Sequence, residues 1–197
     1  NSDGSRTGTV TSFGGTTKTG QTISTVSATG LSKTLQSDVN GDGANDYTTT
    51  DVVVLNTDGS RTETVTKKGG TGATINATVA TTSATGLSTT TQSDFNGDGA
   101  IDRTRTDVTV VNADGSRTET ISDINGTNGS LRDRRVVTIA ADGATTISVD
   151  TNGDGATDDT ETTTVGANGV VIATVSRFAS NGALITRTIS TTAANGL

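Results

Sequence analysis

Val52-Val53-Val54-Leu55, then Asn56-Thr57-Asp58-Gly59-Ser60, then Arg61-Thr62-Glu63-Thr64-Val65 is the stretch on which the fold turns. Two runs of strand formers flank a turn signal. β-Branched residues fit a pleated strand, and Asp-Gly supplies a turn whose glycine takes positive φ. The reading is an antiparallel hairpin with a type I turn and Gly59 left-handed in a G1 bulge. The same signal stands at Asn1-Ser2-Asp3-Gly4-Ser5-Arg6-Thr7 and again at Asn112–Thr120, so Gly4 and Gly115 are expected in the same role.

A second stretch, Asp38-Val39-Asn40-Gly41-Asp42-Gly43-Ala44, returns at Asp94 and at Asp150, a spacing of 56 residues both times. Self-similarity at a fixed period marks a repeat protein. The predicted organisation is repeat 1 over 1–55, repeat 2 over 56–111, repeat 3 over 112–166 and a partial fourth over 167–197. Turn signals in the second repeat fall at 56–60, 69–72, 84–87 and 94–102, with Thr- and Val-rich segments of strand length between them. Short loops favour antiparallel neighbours, and no segment keeps a 3.6-residue apolar period. The expected fold class is therefore all-β: a linear array of repeats, about four antiparallel strands each, with calcium-binding hairpin loops.

Burial is read from the same comparison. Ile23, Val79, Val136 and Ile189 precede the third-turn glycines Gly30, Gly86, Gly143 and Gly196 by seven residues. They form one apolar column expected to face a core. Val10, Val65 and Ile121 form a second, and Val54 with Val110 a third.

Composition narrows the functions. Only 29% of the chain is hydrophobic and 2% aromatic, with no Cys, His, Trp or Met and a net charge of -7. Without Cys there is no disulfide or thiolate metal site. The absence of His removes the commonest general base. No apolar run is long enough to span a bilayer. The sole basic cluster, Arg132, Arg134 and Arg135, contains Asp133 and reads as a solvated strand face, not a nucleic-acid surface. A turn opens the chain at 1–5 and another ends it at 194–197, as expected of a window on a longer array whose targeting signals would lie outside it.

One motif carries chemistry. Asp38-x-Asn40-x-Asp42-Gly43-Ala44-x-Asp46 recurs as Asp94, Asn96, Asp98, Ala100, Asp102 and as Asp150, Asn152, Asp154, Ala156, Asp158. If the chain wraps tightly, side-chain oxygens at positions 1, 3, 5 and 9 converge, Gly at position 6 turns the chain, and position 7 offers its carbonyl. All-oxygen ligation by a flexible loop suits Ca²⁺ better than Mg²⁺ and excludes soft metals. Three Asp in each loop place nine of the 21 acidic residues there, a crowding that a cation would relieve. Three calcium ions are expected.

The nine-residue loop resembles the calcium loops of FG-GAP-type repeats, where it joins two strands. It also matches the first half of EF-hand and dockerin loops, but position 12, where an EF-hand carries Glu, holds Thr49, Arg105 and Glu161. The FG-GAP pattern implies ligands at Asp38, Asn40, Asp42, the Ala44 carbonyl and Asp46, and likewise in the other copies. Asn112–Thr120, Thr82-Ser83-Ala84-Thr85-Gly86-Leu87 and the Asp-rich loops together resemble Thr-rich repeat regions of large secreted bacterial calcium-binding proteins of the RTX-adhesin kind. That resemblance implies secretion, the cell surface and roles in adhesion or biofilm.

The expected function is a structural, calcium-stiffened stalk or fibre module and not an enzyme. Its partners would be neighbouring repeats, with self-association into fibres open. A carbohydrate-active enzyme needs an unrepeated acid pair, and Asp123, Asp133 and Asp159 have no aromatic platform nearby. An FG-GAP-like propeller would show four-stranded repeats with this loop, but three and a half blades cannot close a ring. Thr-x-Thr strings such as 62–66 suggest ice-binding strands, but charges interrupt them.

Overall fold

A computed structural model describes residues 1–166 and 168–194. It is all β. Fourteen strands hydrogen-bond in chain order in one open sheet, and no helix occurs among the described residues. Among the described residues there is accordingly no helix long and apolar enough to cross a membrane. Two compact units divide the chain: Asn1–Gly86 with Thr90–Asp102, and Leu87–Thr89 with Arg103–Leu197.

In the first unit run β1 (Arg6–Gly14), β2 (Thr17–Val26), β3 (Ser32–Asp38), β4 (Tyr47–Leu55), β5 (Arg61–Gly69) and β6 (Thr74–Thr82). Strand β7 (Ser88–Asp94) is shared between the units. In the second run β8 (Arg103–Val111), β9 (Arg117–Asn125), β10 (Leu131–Ile139), β11 (Thr145–Asp150), β12 (Asp159–Val165), β13 (Val171–Phe178) and β14 (Leu184–Thr192). The hairpin expected at 52–65 is β4–β5, with Leu55 opposite Arg61. Gly59 has φ +83, its N–H donates to the Asn56 carbonyl at 3.0 Å, and the Ser60 N–H is held by Asp58 at 2.9 Å. Gly4 and Gly115 repeat this geometry. Gly196, and the end turn from Asn195 onward, lie outside the described residues.

No core forms. Among the described residues no hydrophobic side chain is buried; the buried ones are Ser5, Asp38, Asp94, Asp123, Asp150 and Ser176. The apolar columns therefore do not face an interior. Ile23, Val79, Val136, Val65 and Ile121 are half-buried, whereas Val10, Val54, Val110 and Ile189 are exposed. The reason is architectural: within each unit, the elements that the described strands touch are the strands beside them.

Lateral pairs take the place of a core. In the first unit Thr7, Thr25, Thr34, Thr50 and Thr66 stand directly opposite one another across β1–β5. In the second, Thr118, Thr138, Thr146, Thr162 and Thr174 do the same across β9–β13. The Thr7–Thr25 and Thr118–Thr138 hydroxyls bond at 3.2 and 3.3 Å, the kind of cross-strand pair that stabilises a sheet.

Register also sorts charge. On β1–β6 every charged residue except Lys18, Asp38 and Lys68 shares the face opposite the Thr row. On β8–β14 the exceptions among residues placed by the pairing are Arg134, Asp150 and Arg187. Arg134 and Arg135 thus point to opposite faces, and the basic cluster of the sequence is dispersed.

Candidate functional site

Each Asp-rich loop begins where a strand ends. In all three, the last Asp donates its backbone N–H back across the hairpin: Asp46 to Ser37, Asp102 to Ser93 and Asp158 to Val149, each at 2.8 Å. The position-1 Asp is buried in every copy, Asp38 and Asp94 at 4% and Asp150 at 2% exposure. A buried carboxylate must find donors, and this one uses the loop's own backbone. Asp38 accepts from Gly41 at 2.6 Å and Gly43 at 3.0 Å; Asp94 from Gly97 and Gly99; Asp150 from Gly153 and Gly155.

The remaining predicted residues are exposed or half-buried. Asn40 Oδ1 accepts the Asp42 N–H at 2.9 Å, and Asp42 Oδ1 the Ala44 N–H at 2.8 Å. The pattern repeats at Asn96–Asp98–Ala100 and Asn152–Asp154–Ala156. Position 9 turns back on position 2: Asp46 accepts from Val39, Asp102 from Phe95 and Asp158 from Thr151, each at 2.7 Å. Asp158 also takes the Thr151 hydroxyl, which with that N–H holds its carboxyl below the ordinary value. Among the described residues no group of three or more acidic side chains is gathered as a metal cage. The loops are instead closed by their own N–H groups.

The donor chemistry nonetheless suits a hard cation. Each loop offers carboxylate, amide and carbonyl oxygens and no nitrogen or sulfur ligand. A carboxylate oxygen that accepts one N–H keeps a lone pair for a metal. Turning the exposed position-5 and half-buried position-9 carboxylates inward would complete a set around the buried position-1 Asp.

Two features escaped the sequence reading. The first is the glycine at position 4. Gly41, Gly97 and Gly153 have φ of +80, +77 and +74, and a Cβ on them would collide with the carbonyl oxygens of Lys18, Thr74 and Leu131. Gly43 and Gly99, at position 6, have positive φ but open space. The loop therefore folds down against the backbone of a preceding strand at position 4. The second feature is an internal ion pair at the first loop: Lys18 Nζ lies 2.7 Å from Asp38 Oδ2. That ammonium, aided by the Gly41 and Gly43 N–H groups, holds the Asp38 carboxyl below its ordinary value against the opposing effect of burial. Thr74 and Leu131 stand beside the other two loops.

Beside each loop sits a cross-strand clasp. The residue after the last loop Asp is Tyr47, Arg103 or Asp159. Lys67 lies over the Tyr47 ring, 4.5 Å from its centroid. Arg103 Nε donates to Asp123 at 2.7 Å, and Arg105 joins at 3.1 Å. Arg177 Nε donates to Asp159 at 3.0 Å. Asp123 is 1% exposed; Arg103 foremost, against burial, holds its carboxyl below the usual range. Although Asp133 stands opposite Asp123 in register, this acid pair is committed to an ion-pair node.

No family model matches the chain, and no curated protein does.

Proposed function

We propose that the chain is a calcium-stabilised structural repeat module, a spacer of a secreted or cell-surface protein, with its three Asp-rich loops as the calcium sites and no catalytic role. The observation that supports this most is the threefold recurrence of one loop conformation: a buried position-1 Asp, two glycine N–H donors on it, and exposed oxygen ligands at positions 3 and 5. Ligands would be Asp38, Asn40, Asp42, the Ala44 carbonyl and Asp46, and their counterparts at 94–102 and 150–158. Calcium supplies the positive charge that lets three carboxylates share a tight loop.

The strand layout supports a linear array. Strands β1, β5 and β9 start at Arg6, Arg61 and Arg117, so four strands fall to each repeat of about 56 residues. Ladders also cross the repeat boundaries: β4 pairs with β5, and β12 with β13. A propeller would break its sheet at those points, since each blade is a separate sheet. Neighbouring repeats are thus the partners this reading requires. Adhesion, matrix or biofilm roles belong to whatever such an array carries.

Isothermal titration of calcium into chelator-stripped protein tests the assignment. Three ions should bind, which brings the formal charge from -7 to -1. Binding of none or one would overturn it.

A further inference from the structure

In each unit one face of the sheet carries most of the charged side chains and the other carries mainly hydroxyl and aliphatic ones, and within each unit no described element covers the second. We propose that this mainly uncharged face is a docking surface for a second copy of the chain, so that two single-layer sheets pack face to face. The inference stands apart from the calcium reading, since it rests on strand register alone.

Antiparallel sheets normally bury one face and solvate the other, the buried one being free of charge. The uncharged face has that composition without that burial. It carries the Thr row and, in the second unit, the exposed Val108, Val110, Ile172 and Ile189. Two of the apolar columns legible in the sequence lie on it, through Val136 and Val110. Its hydroxyls can leave water cheaply where they already bond sideways, as Thr118 does to Thr138.

Area and symmetry point to a copy of the same chain. At about 4.8 Å between strands and about 3.4 Å per residue, the seven strands β8–β14 present a face on the order of 900 Å². A specific interface needs about 800 Å² per partner, so one unit suffices. A two-fold contact sets a surface against itself, which like charges forbid and a neutral face permits. Of the charges on this face, Arg134 and Asp150 are of opposite sign and stand opposite each other in register, and Arg187 on β14 donates from Nε to Ser176 at 3.3 Å.

Thr162 and Thr163 are adjacent on β12 and point to opposite faces. Sedimentation equilibrium of the full chain in calcium-replete buffer should show a concentration-dependent dimer. Thr162→Lys buries an unpaired ammonium in the contact and should weaken association roughly ten-fold or more, whereas Thr163→Lys on the charged face should leave it unchanged. Circular dichroism checks that each variant retains its strands, and Ser148→Lys, on the same face as Thr162, replaces Thr162→Lys should that variant lose them. A chain that stays monomeric at every concentration would overturn the proposal. So would a dimer that Thr162→Lys or Ser148→Lys leaves intact, because the contact would then lie at the open strand edges or on the charged face.

Discussion

At the scale of single residues, the loops separate two demands that a sequence shows as one. Gly97 must have positive φ and must have no side chain, whereas Gly99 must only have positive φ. A left-handed backbone costs an L-residue about 1–2 kcal/mol. Gly99→Ala should lose about that much in urea unfolding, and Gly97→Ala distinctly more, because its methyl meets the Thr74 carbonyl. Equal losses would mean that loop-on-strand packing does not fix the loop. The spacing of Asp38, Asn40 and Asp42 made the loop legible, and Gly43 was readable as its turn. Position 4 was not, since nothing in the motif says which strand lies beneath it. Lys18 was equally hidden, twenty residues from Asp38 and without a counterpart in the other copies. Under the proposed function its ammonium competes with calcium for the same carboxylate, so Lys18 should weaken the first loop's affinity. Lys18→Met should strengthen that site by about ten-fold, the equivalent of about 1.4 kcal/mol. Titration calorimetry that finds the variant's three affinities unchanged would show the lysine to be a bystander.

At the scale of elements, the clasps decide how firmly one repeat holds the next. Tyr47–Lys67, Arg103–Asp123 and Asp159–Arg177 each tie the strand after a loop to the next strand, with different chemistry and register, which is why a search for identical stretches passes over them. The Asp123 node is the strongest, because its carboxylate is buried while its arginines reach water. Arg103→Met strands a buried charge with only Arg105 and should cost about 3 kcal/mol. Asp123→Asn keeps the shape and one hydrogen bond and should cost about 1 kcal/mol. The reverse order would mean that arginine repulsion, not the buried acid, dominates. Acid gives a second readout. The folded Asp123 titrates below its unfolded value of about 3.9, so its contribution is complete above that pH and disappears as pH falls through the folded value. Wild type should therefore lose its advantage over Asp123→Asn only in that acid window. Strand existence and hairpin turns were plain in the sequence, since Thr/Val runs and Asp-Gly signals act locally. The apolar columns misled because periodicity tells which residues share a place, not whether another layer covers it.

At the scale of the whole molecule, hydrogen-bonded ladders, clasps and loops replace a hydrophobic core, and stability in such a chain is a sum over neighbours. Asp98→Ala should then expose the chain to protease around 94–102 while Asp38–Asp46 and Asp150–Asp158 stay protected. Cooperative loss of the entire chain would argue for one indivisible folding unit. The most direct test of calcium as the ordering ion is amide hydrogen exchange, which reports local opening, measured with calcium and after chelation. Removing calcium should accelerate exchange first at 38–46, 94–102 and 150–158, then along the adjoining strands β3, β4, β7, β8, β11 and β12, with the turns at Gly59 and Gly115 affected last. Identical exchange maps in the two conditions would contradict the account, because the loops would then be closed by their own backbone bonds alone.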